Sequence, residues 1–221
     1  MGLRERPGLV RMPAGFQAAN HSQLLGDSMK NLLLAGLAAA VIALPVAAAL
    51  QKGETAPAFT AQASLAGKEF KYSLADALKQ GPVVVYFYPS AYTQGCNIQA
   101  HTFAENMEKF NAAKATVIGV SLDSIARLND FSADPAYCAG KLAVASDADG
   151  AIAKSYGVNV REGRAGIPDT RGVAIDHGFA DRLTFIVMQD GKVATTIGGQ
   201  GVSPEDNVAQ ALKAVQDLAA N

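Results

Sequence analysis

Cys96 lies where a strand ends and a helix begins, a position that favours a reactive thiol. The β-branched and aromatic run 83–88 predicts a buried strand, and Pro89 ends it. After Cys96, apolar residues recur at helical spacing, namely Ile98, Phe103, Met107 and Phe110. The N–H groups and the dipole of a helix's first turn stabilise a thiolate, which is the nucleophilic form of cysteine. The sequence therefore predicts that Cys96 is a nucleophile.

The composition of the chain argues against several classes of function. The 221 residues carry 19 basic and 20 acidic side chains, and this balance indicates no basic surface for nucleic acid. The three histidines are scattered, so they predict no metal site, and no motif indicates a cofactor. The two cysteines, Cys96 and Cys138, form no Cys-x-x-Cys motif, which argues against a disulfide exchanger of the thioredoxin type.

The first 49 residues have the character of segments that precede a folded domain. Residues 1–28 are polar and lack apolar periodicity, so we interpret them as an upstream extension from a start codon assigned too early; a genuine disordered extension is the alternative. Residues 29–49 combine a basic residue, an uncharged apolar stretch and small residues before Leu50, as a secretory signal peptide does. An uncleaved membrane anchor is the competing interpretation, although the run is rich in alanine and contains Pro45.

Cleavage near the Ala49–Leu50 bond would leave residues 50–221 as the mature protein. That length is enough for one domain with a filled core, and no internal linker or repeat divides it. We therefore expect an exported, periplasmic protein with no stable membrane insertion after cleavage. The sequence leaves open whether the protein is a monomer or a homodimer.

Strands and helices alternate along residues 50–221, which predicts an α/β fold. The predicted strands are 59–64, 69–72, 83–88, 116–121, 142–145, 183–188 and 192–197, and the predicted helices are 73–81, 95–113, 124–133, 150–156 and 203–219. Residues 157–181 are predicted to be a long loop. This alternation predicts a central mixed sheet with a parallel core, closed by an antiparallel hairpin and flanked by helices. This arrangement, with Cys96 at a strand–helix junction, predicts a single domain with a thioredoxin-like fold.

The motif Pro89-x-x-x-Thr93-x-x-Cys96 directly follows a Tyr-Phe-Tyr strand. Four further blocks follow it along the chain, at residues 119–124, 146–150, 156–158 and 182–192. In motif and order these five blocks resemble the peroxiredoxins, and the nearest group is that of bacterioferritin comigratory protein, or PrxQ. The resemblance covers about residues 53–220. It implies a peroxiredoxin-type fold and a thiol-dependent peroxidase that reduces hydrogen peroxide and organic hydroperoxides.

The resemblance also implies the roles of four residues. Cys96 is the peroxidatic cysteine, which attacks the hydroperoxide and becomes a sulfenic acid. Thr93 donates or relays a hydrogen bond, and Arg182 stabilises the thiolate and the charge on the leaving oxygen. Pro89 closes the pocket over the thiolate. The implied partners are a hydroperoxide substrate and a thiol reductant, either a thioredoxin-like protein or a small thiol.

Two positions depart from the family pattern. Gln99 stands where the family often has a glutamate that orients the arginine; its carbonyl can accept a hydrogen bond from Arg182 but brings no charge. His101 stands where many members of the group place the resolving cysteine, and we interpret it as a solvated surface residue. The segment 176–182, with His177, could line the mouth of the pocket, but we interpret it as a solvated part of the long loop.

Cys138 lies in a region where some relatives carry their resolving cysteine, so the resemblance implies an intramolecular disulfide with Cys96. Such a bond would need local unfolding that brings the two α-carbons within about 7 Å. Alternatively, Cys138 is an inert buried thiol, and the enzyme is a one-cysteine peroxidase that uses an external thiol. Two further alternatives are a thiol–disulfide oxidoreductase that uses Cys96 alone, and a redox-sensing or binding module without turnover.

Overall fold

The apolar runs of the sequence form a seven-stranded mixed sheet with helices on both faces. The structure, a computed structural model, describes residues 48–163 and 166–220. The predicted extension 1–28 and nearly all of the predicted signal peptide 29–49 lie outside the described residues. Within the described ranges, no helix is long and apolar enough to cross a membrane.

The strands have nearly the predicted bounds. They are β1 (Thr60–Leu65), β2 (Lys68–Ser73), β3 (Val83–Phe87), β4 (Thr116–Ser121), β5 (Ala143–Ser146), β6 (Val160–Arg161), β7 (Phe179–Ala180), β8 (Leu183–Val187) and β9 (Val193–Gly198). The main sheet has the order β2-β1-β5-β4-β3-β8-β9, while β6 and β7 pair separately. The predicted thioredoxin-like plan, with a parallel core closed by an antiparallel hairpin, is confirmed.

The central strand β3 brings the two ends of the candidate site together. All five of its residues are buried, as expected for a strand covered on both faces. It pairs in parallel with β4 and antiparallel with β8, and the second register aligns Phe87 with Leu183. The chain that leaves β3 toward Cys96 therefore starts beside Arg182, the residue directly before β8.

The helices are α1 (Leu74–Leu78), α2 (Gln94–Ala112), α3 (Ile125–Ala133), α4 (Ala151–Ser155) and α5 (Pro204–Ala219). Three of them begin at a serine whose side chain accepts a hydrogen bond from a first-turn N–H, namely Ser73, Ser124 and Ser203. The predicted start of the last helix, with a serine cap followed by proline, is confirmed. Helix α2 differs, because the side chain of its N-cap residue, Thr93, makes no capping hydrogen bond.

Two hydrophobic clusters fill the space between the sheet and its helices. The first joins Tyr86 and Ile186 of the sheet to Phe103 of α2 and Val208 of α5, and it also contains both cysteines. The second lies on the opposite face and includes Val85, Phe87, Leu74 of α1 and Ala153 of α4. Alternate residues of β3 thus point to opposite clusters, as the pleat of a strand requires.

The predicted loop 157–181 contains one element that the sequence analysis missed. Strands β6 and β7 pair antiparallel, with Val160 opposite Ala180 and Arg161 opposite Phe179. Two residues give no readable alternation of apolar and polar side chains, so the pattern could not reveal them. The pair closes the base of the loop shortly before the chain enters β8.

Gly119 is required by the ring of Tyr86, its register partner on β3. A Cβ at position 119 would lie 2.5 Å from the Tyr86 hydroxyl oxygen and 2.6 Å from its Cζ. The ring cannot retreat easily, because it stacks on Phe103 with a centroid distance of 4.5 Å.

The substitution Gly119→Ala should therefore lower the free energy of unfolding by about 1–3 kcal/mol, the usual cost of overpacking a filled core. Chemical denaturation measures this change. In a Tyr86→Leu background the ring is gone, so the added methyl should cost much less there. Equal stabilities of the wild type and Gly119→Ala would contradict the proposed contact.

Candidate active site

Cys96 occupies the first turn of α2, as predicted, and its residue surface is 2 % exposed. The turn that precedes it, residues 90–92, is also buried. Burial removes competing water from the thiol, so the protein groups around the sulfur determine how well a negative charge is tolerated there.

Arg182 supplies the cation next to this sulfur. Its Nη2 donates a hydrogen bond to Cys96 Sγ over 3.3 Å, and its Nη1 donates to Gln99 Oε1. Gly95 makes room for the guanidinium, since a Cβ there would lie 3.2 Å from Arg182 Nη2. The structure therefore brings together Cys96, Arg182 and Gln99, three residues that the sequence analysis singled out.

Gln99 can fix the position of Arg182 because a hydrogen bond to Asn207 fixes the orientation of its own amide group. Its Nε2 donates to Asn207 Oδ1 over 2.9 Å, and Thr184 Oγ1 donates to the same oxygen over 2.6 Å. Gln99, Asn207 and Thr184 are fully buried. The amide of Gln99 thus presents its carbonyl to Arg182 and its N–H to Asn207, a division of roles that a carboxylate could not perform.

Asn207 is a site residue that the sequence analysis did not find. It lies on the buried face of α5 with Val208, Ala211 and Val215. A single amide among apolar core positions of an amphipathic helix is the signal that could have revealed it, because buried polar groups require partners.

Thr93 and Pro89 lie before Cys96 in the chain, and neither makes a hydrogen bond to its sulfur. The Thr93 hydroxyl donates to the Ser90 carbonyl over 2.9 Å, so its proton is already used and its lone pairs remain as acceptors. Pro89 is half-buried between β3 and the turn 90–92. The roles predicted for these two residues stay predictions.

Cys138 is a free, fully buried thiol in the same hydrophobic cluster as Cys96. Burial, and to a lesser degree the charge of Asp134, raise the pKa of Cys138 far above its usual range. In this closed form Cys138 is therefore a neutral thiol with little nucleophilic character.

The interpretation of His177 as a solvated loop residue is wrong. Its side chain is 11 % exposed, and its Nε2 lies 2.8 Å from Asp123 Oδ1. Burial alone would lower the pKa of His177, but the hydrogen bond and the charge of Asp123 outweigh it and raise that pKa. His101, by contrast, is exposed on α2 beside Glu105, as predicted.

Asp123 is a further buried residue that the sequence analysis did not assign to the site. It follows β4, and its carboxylate accepts hydrogen bonds from Ser90 Oγ and the Ala91 N–H, in the turn before α2. Burial would raise the pKa of Asp123, yet the bond and charge of His177 and the Ala91 N–H hold it below the usual range. Within the described residues, no group of three or more His, Cys, Asp or Glu side chains could hold a metal ion.

Comparison with known proteins points to one family. The model of the AhpC/TSA family matches residues 52–196. Peroxiredoxin Q of Oryza sativa subsp. japonica chloroplasts is 31% identical over 169 residues, which cover 76% of this chain and 68% of that protein. Peroxiredoxin Q of Sedum lineare is likewise 31% identical, over 77% of this chain and 81% of that protein.

Solved structures agree with these sequence relatives. The crystal structure of peroxidoxin BcpB from Mycobacterium tuberculosis aligns with a TM-score of 0.63 and 26% identity, over 76% of this chain and 98% of that chain. The bacterioferritin comigratory protein of Xanthomonas campestris aligns with a TM-score of 0.55 and 25% identity, over 72% of this chain and 91% of that chain. Together with the buried cysteine–arginine pair, these matches establish that the chain belongs to the AhpC/TSA family and is a thiol-dependent peroxidase of the bacterioferritin comigratory protein/PrxQ group.

Proposed function

We propose that Cys96 is the peroxidatic cysteine of this peroxidase and that Arg182 is its electrostatic partner. The observation that carries the proposal is the 3.3 Å hydrogen bond from Arg182 Nη2 to Cys96 Sγ in the first turn of α2. A fixed guanidinium stabilises the thiolate before the reaction and the charge on oxygen during it. Gln99 keeps the guanidinium in this position from its other side.

The first step oxidises the thiol by two electrons. The Cys96 thiolate bonds to the terminal oxygen of the hydroperoxide, the O–O bond breaks, and the departing RO oxygen takes a proton from solvent to become water or an alcohol. Both hydrogen peroxide and organic hydroperoxides are proposed substrates. The relation to the Xanthomonas campestris protein, whose structures concern its alkyl peroxide reduction activity, supports the organic class.

For the second step we propose that Cys138 resolves the sulfenic acid of Cys96. The Cys138 sulfur attacks the Cys96 sulfur, the S–O bond breaks, and the oxygen leaves as water with the thiol's proton, so that a disulfide forms. Both sulfurs belong to one hydrophobic cluster, which supports this pairing. An external thiol, such as a thioredoxin-like protein or a small thiol, then returns both cysteines to the reduced state.

The segment around Cys138 supports the local opening that this step requires. Residues 135–141 form turns rather than a helix or strand, and Ala139 and Gly140 both have positive φ. The backbone hydrogen bonds of the segment run over short distances in the chain, for example from Ala139 N to Asp134 O and from Leu142 N to Cys138 O. Such a segment can open without breaking a sheet.

The full burial of Cys138 favours a second candidate, a one-cysteine peroxidase in which an external thiol attacks Cys96 directly. The two mechanisms differ in the first product that accumulates. Mass spectrometry of the non-reduced protein, after one equivalent of hydrogen peroxide, distinguishes them.

We expect that experiment to give a protein lighter by two hydrogens, with a cross-link between Cys96 and Cys138. In the matched variant Cys138→Ser, the same treatment should add oxygen to Cys96 instead, and Cys96→Ser should consume no peroxide. Oxygen on Cys96 with Cys138 still free in the wild type would contradict resolution by Cys138. An active Cys96→Ser variant would contradict the assignment of Cys96.

The variant Arg182→Lys should lower the rate of Cys96 oxidation roughly 10²-fold, since a lysine ammonium cannot contact Gln99 and the sulfur with the same planar fork. Stopped-flow measurement with hydrogen peroxide gives this rate. Arg161→Lys is the control, because Arg161, on β6, has a side chain that is 63% exposed in its ion pair with Asp181. A wild-type rate for Arg182→Lys would show that the contact does not serve catalysis.

We further propose that the protein is exported to the periplasm and cleaved between Ala49 and Leu50. The contacts of Leu50 support a mature chain that begins at this residue: its N–H donates to Tyr156 O over 3.1 Å, and its carbonyl oxygen accepts from Thr196 Oγ1 over 2.5 Å. A newly formed amino group at Leu50 would keep this first partner.

Expression of the full chain in a Gram-negative host should yield a periplasmic protein whose amino-terminal sequence begins at Leu50. Replacement of Ala49 by a bulky residue should block the cleavage, because signal peptidase requires a small side chain there. An uncleaved protein that remains with the membranes would instead favour an anchor.

A further inference from the structure

The turn that precedes Cys96 is held by side chains from distant parts of the chain. Ser90, Ala91 and Tyr92 are buried, and Tyr92 has a φ of 61°, in the left-handed region that residues other than glycine rarely adopt. Such a conformation persists only when the surroundings determine it. The partners of this turn therefore determine where α2, and with it Cys96, begins.

Asp123 holds the first half of the turn. Its carboxylate accepts from Ser90 Oγ over 2.9 Å and from the Ala91 N–H over 2.8 Å. Ser121 Oγ also donates to it over 2.7 Å. A carboxylate at the end of a central strand is a rigid anchor, because β4 is fixed on both sides by parallel pairing.

Arg127 and the segment 169–171 hold the second half. Arg127 Nη2 donates to Ala91 O over 2.9 Å, and Thr170 donates to Tyr92 O from both its N–H and its hydroxyl over 2.8 Å. The guanidinium of Arg171 lies 3.2 Å from the centroid of the Tyr92 ring. Asp169, whose side chain is buried, binds both arginines.

His177 completes this set, and both of its ring nitrogens face acceptor oxygens. Its Nε2 lies 2.8 Å from Asp123 Oδ1, and its Nδ1 lies 2.7 Å from Gly178 O. A carboxylate and a peptide carbonyl are both acceptors without a proton, so each ring nitrogen must carry one. The ring that satisfies both contacts is the imidazolium.

We propose that Asp123 and His177 are positioning residues for the reaction of Cys96, and that the charge of His177 keeps the turn 90–92 in its reactive conformation. The charged His177 fixes the Asp123 carboxylate, the carboxylate fixes Ser90 and Ala91, and the turn fixes the first helical turn, which presents Cys96 to Arg182. The inference rests on the proposed role of Cys96.

Buried ion pairs of this kind add little net stability, because desolvation offsets their attraction. Their contribution is geometric: five charged side chains, namely Asp123, Arg127, Asp169, Arg171 and His177, meet around three residues of backbone. A displacement of a reacting group by about 1 Å can lower the reaction rate about a hundredfold.

The proposal gives the reaction a pH dependence that comes from His177. The charged groups that face this ring are Asp123, Asp176 in its own segment and, through Asp123, Arg127 of α3. Since the pKa of His177 is raised in the folded protein, its charge is complete below the unfolded value and is lost as the pH rises through the folded value. The contribution of His177 to positioning therefore fades toward alkaline pH.

The test compares the wild type with His177→Gln, which keeps a hydrogen-bond donor toward Asp123 but carries no charge. The quantity measured is the second-order rate constant of Cys96 oxidation by hydrogen peroxide between about pH 5 and pH 9, which spans the range where histidines titrate. The ratio of the two rate constants isolates the contribution of residue 177, because the two proteins differ only at that position. At low pH we expect the wild type to be about tenfold faster, and the ratio should fall toward one as the pH rises.

His101→Gln is the matched control, because His101 is exposed on α2 and pairs only at the surface with Glu105. It should leave the rate constant unchanged at every pH. A ratio of wild type to His177→Gln that stays constant with pH would overturn the proposal, as would the same pH-dependent change in His101→Gln.

A second measurement on the unmodified protein covers the case in which His177→Gln folds poorly. The imidazole nitrogens of His177, followed by NMR, should titrate at the pH where the oxidation rate of the wild type loses this contribution. A neutral His177 at low pH would overturn the proposal. Failure of the Cys96 assignment is recognised separately, because Cys96→Ser would then still reduce peroxide.

Discussion

The hydrogen bond between Arg182 and the sulfur of Cys96 is the interaction around which the site is arranged. It exists because β3 and β8 pair antiparallel, so that the chain leaving one strand starts beside the residue that enters the other. Gly95 allows the guanidinium to lie over the first turn of α2. The pairing of two central strands thus positions a cation at a thiol that is 86 residues away in the chain.

Two different kinds of support hold the members of this pair. The arginine is held by neutral groups, in a chain of hydrogen bonds from Gln99 to Asn207 and Thr184 in which each donor has an acceptor. The cysteine is held through the turn 90–92, whose partners are mainly charged. Among the described residues, the neutral chain brings no counter-charge to Arg182, whereas the charged set joins two carboxylates to three cations. Arg182 is thus positioned by neutral partners, and the turn before Cys96 by mainly charged ones.

The sequence predicted a mixed sheet and the succession of its strands and helices along the chain, and the family resemblance implied the pairing of Cys96 with Arg182. Long apolar strands and capped helices have strong local patterns, and Cys96, Arg182 and Gln99 lie in or directly beside such elements. The relation of Gln99 to Arg182 came instead from the resemblance to the peroxiredoxins, which often have a glutamate at that position.

The remaining site residues could not be predicted because their relations are not local. Asp123 and His177 are 54 residues apart, and His177 lies in an irregular segment where no periodicity indicates burial. Asn207 is 108 residues from Gln99. A lone polar residue on the apolar face of a helix shows that a partner exists but does not show which one.

The neutral character of Gln99 has a consequence for electroneutrality during turnover. In the proposed reaction the Cys96 sulfur would give up its negative charge on becoming a sulfenic acid, and Gln99 offers Arg182 no counter-charge in its place. A half-buried guanidinium without a counter-charge is costly in a poorly hydrated site. The proposed oxidation would therefore leave an excess positive charge at the start of α2, where the helix dipole is also positive. That charge would weaken the closed form of the site and favour the exposure of Cys96 that the proposed resolution requires.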